Sequence, residues 1–339
     1  MEKHSIERYS RQMRFAPIGE EGQRTLAEKV ALIVGVGALG TVLANHLVRA
    51  GVGKVKIVDR DYVEMSNLQR QMLFDESDVN ESLPKAIAAE RKLRAINSAV
   101  QIEATVADVT ASTLPALMED VDIVLDGTDN FRTRFLLNDM CFQKGIPFAY
   151  GGAVSARGMS ALFIPGKTPC LRCLINEGSG SGETCDTVGV ISPVVDIVAS
   201  YQVVEVMKYL VGQTGALRGT LRSFDLWGNH QFDLKMEKAK ADCPTCQQRR
   251  FPALTADETE VTTLCGRETV QINRQKPFDL ALWEKRLIGS AQVKATPFLL
   301  RIELEEGERI VLFPDGRALV QGTEDLTRAR TLYSKYIGD

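Results

Sequence analysis

Three observations predict an α/β fold: a doubly wound, mostly parallel sheet followed by a small α+β module. Apolar runs recur at 30–34, 55–58, 101–106, 121–125 and 147–150, with helical patterns between them. Strands that alternate with helices imply parallel pairing through crossover connections, with ligands at the carboxyl ends of the strands. The first run leads into V-G-V-G-A-L-G, whose Gly35, Gly37 and Gly40 turn a strand sharply into a helix. Finally, 339 residues exceed the usual size of one core, so a second, smaller domain is expected.

The elements follow in order. The glycine turn opens a helix over 38–50, and the run at 55–58 ends in Asp59. A second clear helix covers 84–96, and Asp126 falls just past the strand at 121–125. Residues 151–164 read as strand–turn–strand, extending the sheet antiparallel. N-E-G-S-G-S-G at 176–182 is a flexible loop by composition and leads to Cys185. The greasiest long stretch, 193–212, is interrupted by Asp196, Glu205 and Lys208, so it reads as a buried helix rather than a membrane span. The expected organisation is a domain over 1–247, a polar linker over 248–261 and a small domain over 262–339. The last reads β-α-β-β-β-α, with elements at 269–273, 277–287, 297–303, 309–313, 318–321 and 323–337. Pro314-Asp315-Gly316-Arg317 marks a turn between two of its strands.

Composition excludes several classes. Apolar content of 44% and charged content of 25% are ordinary for a globular protein, and a net charge of −3 offers no bulk attraction to nucleic acid. The first residues lack the apolar core of a signal peptide, so the expectation is a cytoplasmic protein with neither membrane nor nucleic-acid partners. Seven cysteines then call for an explanation other than disulfides.

The chemistry begins at the glycine turn. Gly35, Gly37 and Gly40 let backbone approach a phosphate, and the helix beginning at Ala38 offers free N–H groups and a favourable dipole. Asp59 is placed to accept from a ribose, and Asp61 lies beside it. Alone this would suggest NAD, or a tight turn with no ligand. The following Ser66-Asn67-Leu68-Gln69-Arg70-Gln71 departs from a dinucleotide fingerprint. It sets a hydrogen-bonding amide and the fork of Arg70 beside the nucleotide, which favours a triphosphate such as ATP. Asp129 and Asn130 of D-G-T-D-N sit at the ligand edge of the sheet. Asp129 is the choice for holding Mg2+, which takes one or two carboxylates plus phosphate oxygens. Asp126 could serve instead, and either could be a helix cap. Cys170-x-x-Cys173 and Cys243-x-x-Cys246 pair as a tetrahedral four-cysteine zinc site. Four thiolates leave no open position for water, so this zinc is a structural staple between distant segments. Cys141 and Cys265 read as structural; Cys185 is either a small apolar filler or a nucleophile.

Taken together, R-Y-S-R-Q at 8–12, the glycine turn, S-N-L-Q-R-Q, L-P-K at 83–85, D-G-T-D-N, C-L-R-C, T-C-D-T-V-G-V at 184–190 and C-P-T-C resemble the ThiF/MoeB family, bacterial relatives of ubiquitin-activating enzymes. The resemblance implies a Rossmann-like domain of that type. It also implies ATP-dependent adenylation of the C-terminal glycine of a ubiquitin-like sulfur carrier ending in Gly-Gly, serving thiamine-thiazole or molybdopterin synthesis. It assigns Lys85 to the ATP phosphates, and makes Arg11 an arginine finger entering the neighbouring subunit's site, hence a homodimer. It allows Cys185 to capture the activated carrier or to pass persulfide sulfur, and a cysteine desulfurase to act as sulfur source. The alternatives are an NAD-dependent oxidoreductase, for which no hydride-transfer set is evident, and a catalytically silent carrier-binding scaffold. The C-terminal module lacks a rhodanese-type Cys loop; a structural or dimer-supporting role is as consistent with it as carrier recognition.

Overall fold

The computed structural model describes residues 3–175, 185–255, 261–264, 268–274 and 276–338. They fall into two compact units, Met1–Ala256 and Asp257–Asp339.

The first unit is built on one sheet. Its strands are β1 (Val30–Val34), β2 (Lys54–Asp59), β3 (Gln101–Val106), β4 (Ile123–Asp126), β5 (Phe148–Val154), β6 (Arg157–Phe163), β7 (Thr220–Asp225) and β8 (His230–Lys235). They lie in the order β3-β2-β1-β4-β5-β6-β7-β8. Pairing is parallel from β3 to β5 and antiparallel from β5 to β8. The fold is therefore mixed α/β with a large, parallel-dominated sheet. The chain runs β1→β2→β3 in one direction, then returns to β4 on the other side of β1. That reversal opens a crevice at the carboxyl ends of β1 and β4. β1 and β4 read as continuous apolar runs because both faces are covered: Leu32, Ile33, Val124 and Leu125 are all fully buried. The helix Ala38–Ala50 ends at Gly51, which takes a left-handed φ of 80°. The helix Ser192–Leu210 buries Val194, Val195, Val198 and Ala199. Among the described residues no helix is long and apolar enough to cross a membrane.

Two expectations need correction, and one hairpin was not expected at all. The run at 147–150 and the first half of the expected hairpin form the single strand β5, which pairs with β6 across Ser155 and Ala156. The hairpin β7–β8 had no sequence expectation; every residue of β8 is exposed at the sheet edge, so no buried face imposes alternation on it. The stretch taken as a linker contains the short helix Pro252–Thr255, and Phe251, Ala253 and Leu254 pack on the first unit's core.

The second unit carries a six-stranded antiparallel sheet: β9 (Val261–Leu264), β10 (Thr269–Asn273), β11 (Gln292–Ala295), β12 (Leu300–Glu303), β13 (Arg309–Leu312) and β14 (Arg317–Gln321). The order is β11-β12-β13-β14-β10-β9, so the two strands the sequence did not suggest, β9 and β11, are both edges. β11 is almost wholly exposed, so no buried face gives it a period-2 pattern. Gly316, at φ 95°, makes the turn into β14. The helices Leu280–Leu287 and Leu326–Tyr336 start on the side-chain caps of Asp279 and Asp325. They enclose a core that includes Trp283, Ile302, Ile310 and Leu332.

Candidate nucleotide site and cysteine cluster

The glycine turn is packed backbone to backbone. Gly35 has φ 86°, and a Cβ on Gly40 would lie 1.9 Å from the Gly35 carbonyl oxygen. A Cβ on Gly127, from D-G-T-D-N, would meet the same oxygen at 2.3 Å. Gly35, Gly40 and Gly127 are thus required by the fold. Gly37 differs: its Cβ position meets only the Gln71 amide nitrogen, at 3.7 Å. Protein contacts do not demand a glycine there, whereas close approach of a ligand would. The helix that follows starts on Gly37 with no side-chain cap, leaving its first N–H groups for another acceptor.

Asp59, at the end of β2, steadies this turn. Its Oδ2 accepts from the Val36 N–H at 2.6 Å and its Oδ1 from the Asp61 N–H at 2.7 Å. Burial pushes its carboxyl above the usual range, opposed by the charge of Lys85. Lys85, which by its sequence position could have been a solvated helix lysine, is buried, and its Nζ lies 3.3 Å from Asp61 Oδ2. The S-N-L-Q-R segment forms a tight turn at Met65–Asn67. Asn67 is buried and its Oδ1 accepts from the Glu64 N–H, so the amide shapes the turn itself. Ser66 and Gln69 are exposed, Leu68 is half-buried, and Arg70 folds back to donate to the Ser66 carbonyl at 2.9 Å.

At the end of β4 the two aspartates separate clearly. Asp126 is fully buried; its Oδ1 accepts from the Thr128 backbone and hydroxyl, and its Oδ2 from Arg134 Nε at 3.0 Å. Burial pushes its carboxyl up, against the pull of Arg134. Asp129 is exposed at the crevice rim, and Asn130 caps the helix Phe131–Lys144 by accepting from the Thr133 N–H. The sequence did not single out Arg134, which also donates to the carbonyls of Thr128 and Gly151 and lies against the rings of Phe131 and Tyr150. Nor did it single out Gln202, whose Nε2 ties the Asp126 and Ala149 carbonyls together at 3.0 Å each. An uncharged polar residue inside the greasiest helix was the available signal for Gln202.

Arg11 lies elsewhere in its own chain. The helix Lys3–Met13 is anchored by Arg8 on the Ile96 carbonyl, by Asn97 donating to the Tyr9 hydroxyl, and by Gln12 on the Ala50 carbonyl. Those anchors are the C-terminal ends of helices whose N-termini face the crevice. For the helix Ala38–Ala50 the two ends are about 20 Å apart. Arg11 is exposed at that far end, so the structure does not bring it to its own glycine turn.

The four cysteines of the two CxxC pairs do come together, with their sulfurs all within 4.8 Å of one another. Cys170 and Cys243 are 3.5 Å apart, as are Cys173 and Cys246. A tetrahedral zinc bound by four thiolates places sulfurs about 3.8 Å apart, so the cluster is compatible with zinc. Cys141 is buried in the core, and burial pushes its thiol far up, which suits an inert structural residue. Cys185 begins the short helix Cys185–Val188, but its side chain lies outside the described residues, as do Cys265 and the loop at 176–182.

With this geometry in place, comparison with known proteins is decisive on one point. The ThiF family profile matches residues 9–245. The chain belongs to the ThiF family. It is 48% identical over 336 residues to the sulfur carrier protein ThiS adenylyltransferase of Bacillus subtilis (strain 168), covering 98% of this chain and 99% of that one. It is 36% identical over 243 residues to the SAMP-activating enzyme E1 of Haloferax volcanii, covering 71% of this chain and 88% of that one. Among solved structures, E. coli MccB with MccA-N7isoASN superposes at a TM-score of 0.63 and 22% identity, over 71% of this chain and 74% of that one. That last likeness bears on the fold alone.

Proposed function

We propose that this ThiF-family enzyme uses ATP to adenylate the C-terminal glycine of a ubiquitin-like sulfur carrier protein, releasing pyrophosphate. The observation that carries the reading is the match to a ThiS adenylyltransferase along 98% of the chain, taking in both compact units. It favours a ThiS-type carrier, and thiazole synthesis, over a MoaD-type carrier and molybdopterin. The geometry agrees with a nucleotide at the crevice: Gly37 leaves room for a phosphate, and the uncapped helix at Ala38 supplies donors and a favourable dipole.

In this mechanism a carrier carboxylate oxygen attacks the α-phosphorus of ATP; the bond to the bridging oxygen breaks and its electron pair leaves with pyrophosphate. The carboxylate is already ionised near neutral pH, so no general base is required. Lys85, held in place by Asp61, and Arg70 neutralise phosphate charge as it develops. The exposure of Asp129 and the sealed carboxylate of Asp126 support Asp129 as the residue that would hold Mg2+, whose charge offsets that of the phosphates. The partner subunit's Arg11 completes the site in a homodimer, a role supported by its distance from its own glycine turn. Gly35, Gly40, Asp59, Ser66, Asn67, Leu68, Gln69 and Asn130 shape and line the pocket. Cys185 would take the activated carrier as a thioester, its sulfur attacking the carbonyl and AMP leaving, before sulfur arrives from a cysteine desulfurase. Four thiolates of Cys170, Cys173, Cys243 and Cys246 would hold a structural zinc. Such a protein works in the cytoplasm, where thiols stay reduced.

Exchange of labelled pyrophosphate into ATP, measured with and without ThiS-type and MoaD-type carriers, tests the reading. Exchange that requires a carrier supports it and identifies the type. Carrier binding without exchange would indicate a silent scaffold. Hydride transfer with NAD and no exchange would indicate an oxidoreductase.

A further inference from the structure

The helix Phe131–Lys144 carries a buried dipeptide, Asn138–Asp139, that the adenylation chemistry does not use. Both residues are fully buried. Asn138 Oδ1 accepts from the backbone N–H of Leu171 at 2.9 Å, and its Nδ2 donates to Asp139 Oδ1 at 3.0 Å. Asp139 receives Arg172 in a two-point fork, Nε on Oδ1 and Nη2 on Oδ2, each at 3.0 Å. The Thr245 hydroxyl donates to Asp139 Oδ1 at 2.6 Å, and the Ala253 N–H to Oδ2 at 2.9 Å. The Arg172 guanidinium also stacks 4.6 Å from the Phe135 ring centre.

The placement of these partners is the point. Leu171 and Arg172 are the two inner residues of Cys170-Leu171-Arg172-Cys173, and Thr245 is an inner residue of Cys243-Pro244-Thr245-Cys246. One dipeptide therefore grips the inside of both cysteine loops, which lie 73 positions apart along the chain. Closing so long a loop is entropically unfavourable, and a metal that had to close it would lose that free energy from its apparent affinity. The buried Asp139 carboxyl, held by an amide, a guanidinium, a hydroxyl and a backbone N–H, does the closing with protein atoms alone. The docked segment 251–254, held through the Ala253 N–H, covers the same carboxylate.

We propose that Asn138 and Asp139 are the positioning residues of the cysteine cluster, holding its two loops in register so that a metal enters a preassembled site. The inference rests on the reading of the four cysteines as a zinc site. Removing outer partners that orient metal ligands commonly weakens metal affinity by roughly 10- to 100-fold. The test is a cobalt(II) titration of the full chain after metal removal, read by the thiolate charge-transfer and visible bands, together with zinc release to a chromogenic chelator. Thr245→Val and Asp139→Asn should bind cobalt about tenfold more weakly or worse, with the tetrahedral four-thiolate spectrum unchanged, and should release zinc correspondingly faster. Leu47→Ala, a core variant in the helix Ala38–Ala50, is the comparison for destabilisation without contact to the cluster. If Asp139→Asn does not accumulate as folded protein, Thr245→Val, which removes a single hydroxyl, decides the matter. Wild-type affinity in the variants, or a loss no greater than that of Leu47→Ala, overturns the proposal. A wild-type protein that binds neither metal instead overturns the zinc reading beneath it.

Discussion

The two compact units treat charge in opposite ways. The first takes ion pairs inside: Arg134 with Asp126, Arg172 with Asp139 and Lys85 with Asp61 all have at least one buried partner. The second keeps Lys335 with Glu306, Arg328 with Glu308, and Arg301 and Arg309 with Glu303 at its surface, around an apolar core. Its exception is Arg317, buried over the Phe313 ring and paired with Asp315. Desolvating a charge is expensive, and an apolar replacement for a buried pair is often at least as stable. Buried pairs are thus poor explanations of stability, and better ones of where a backbone must be held. In the first unit they sit at the rim proposed for the nucleotide and behind the cysteine loops. The second unit shows what a core looks like when only burial is at stake.

The comparison can be broken by experiment. The largest effect is expected at the rim. Asp129→Ala should lower carrier-dependent pyrophosphate exchange by about 100- to 1000-fold with little change in Tm, because the side chain is exposed. Near-normal exchange with magnesium present would remove Asp129 from the site. Mixed dimers come next. Arg11→Ala and Lys85→Ala homodimers should each be inactive, whereas heterodimers should recover one working site of the two. That follows because one subunit supplies an intact pocket and the other an intact finger. Verified heterodimers with no recovery would return Arg11 to its own surface.

Arg134→Met tests buried charge as such. It strands the Asp126 carboxylate, and a loss of about 3 kcal/mol at neutral pH is expected. Burial already raises the Asp126 carboxyl. A raised folded value means that stability is highest below the unfolded value, near pH 4, and declines as pH rises toward the folded one. The deficit against wild type should therefore shrink as pH is lowered to 4. A pH-independent deficit in thermal melts would attribute it to packing alone. The smallest effect belongs to the second unit. Lys335 and the Tyr336 hydroxyl hold the Glu306 carboxyl down at about 2. A lowered value contributes stability above about pH 4.5, and that contribution is lost as pH falls toward 2. Glu306→Gln should flatten this slope slightly and leave neutral-pH stability almost unchanged, since exposed pairs contribute little. A loss there as large as that of Arg134→Met would erase the contrast between the units.

What the sequence determined by itself was chemistry confined to a few neighbouring residues. A strand followed by V-G-V-G-A-L-G must turn, because only glycine takes the φ of 86° at Gly35 without strain. Each CxxC can chelate, because two residues between cysteines suit one edge of a tetrahedron. Apolar runs at β1, β2 and β4 were legible because buried parallel strands need no partner to look apolar. The tertiary structure decided what depends on contact. Arg132 and Arg134 are two residues apart on one helix and read alike, yet the first is exposed and the second is buried on Asp126. The sequence favoured Asp129 over Asp126 without excluding the latter; only the fold places Thr128 and Arg134 on the Asp126 carboxylate. The exposed strand β8 and the edge strand β11 escaped notice because no buried face patterned them. That the loop at Cys170 meets the loop at Cys243, with Asp139 gripping both, follows from the crossing of segments far apart in the chain. Burial is a property of what packs on a residue, and a local window of sequence does not contain its neighbours.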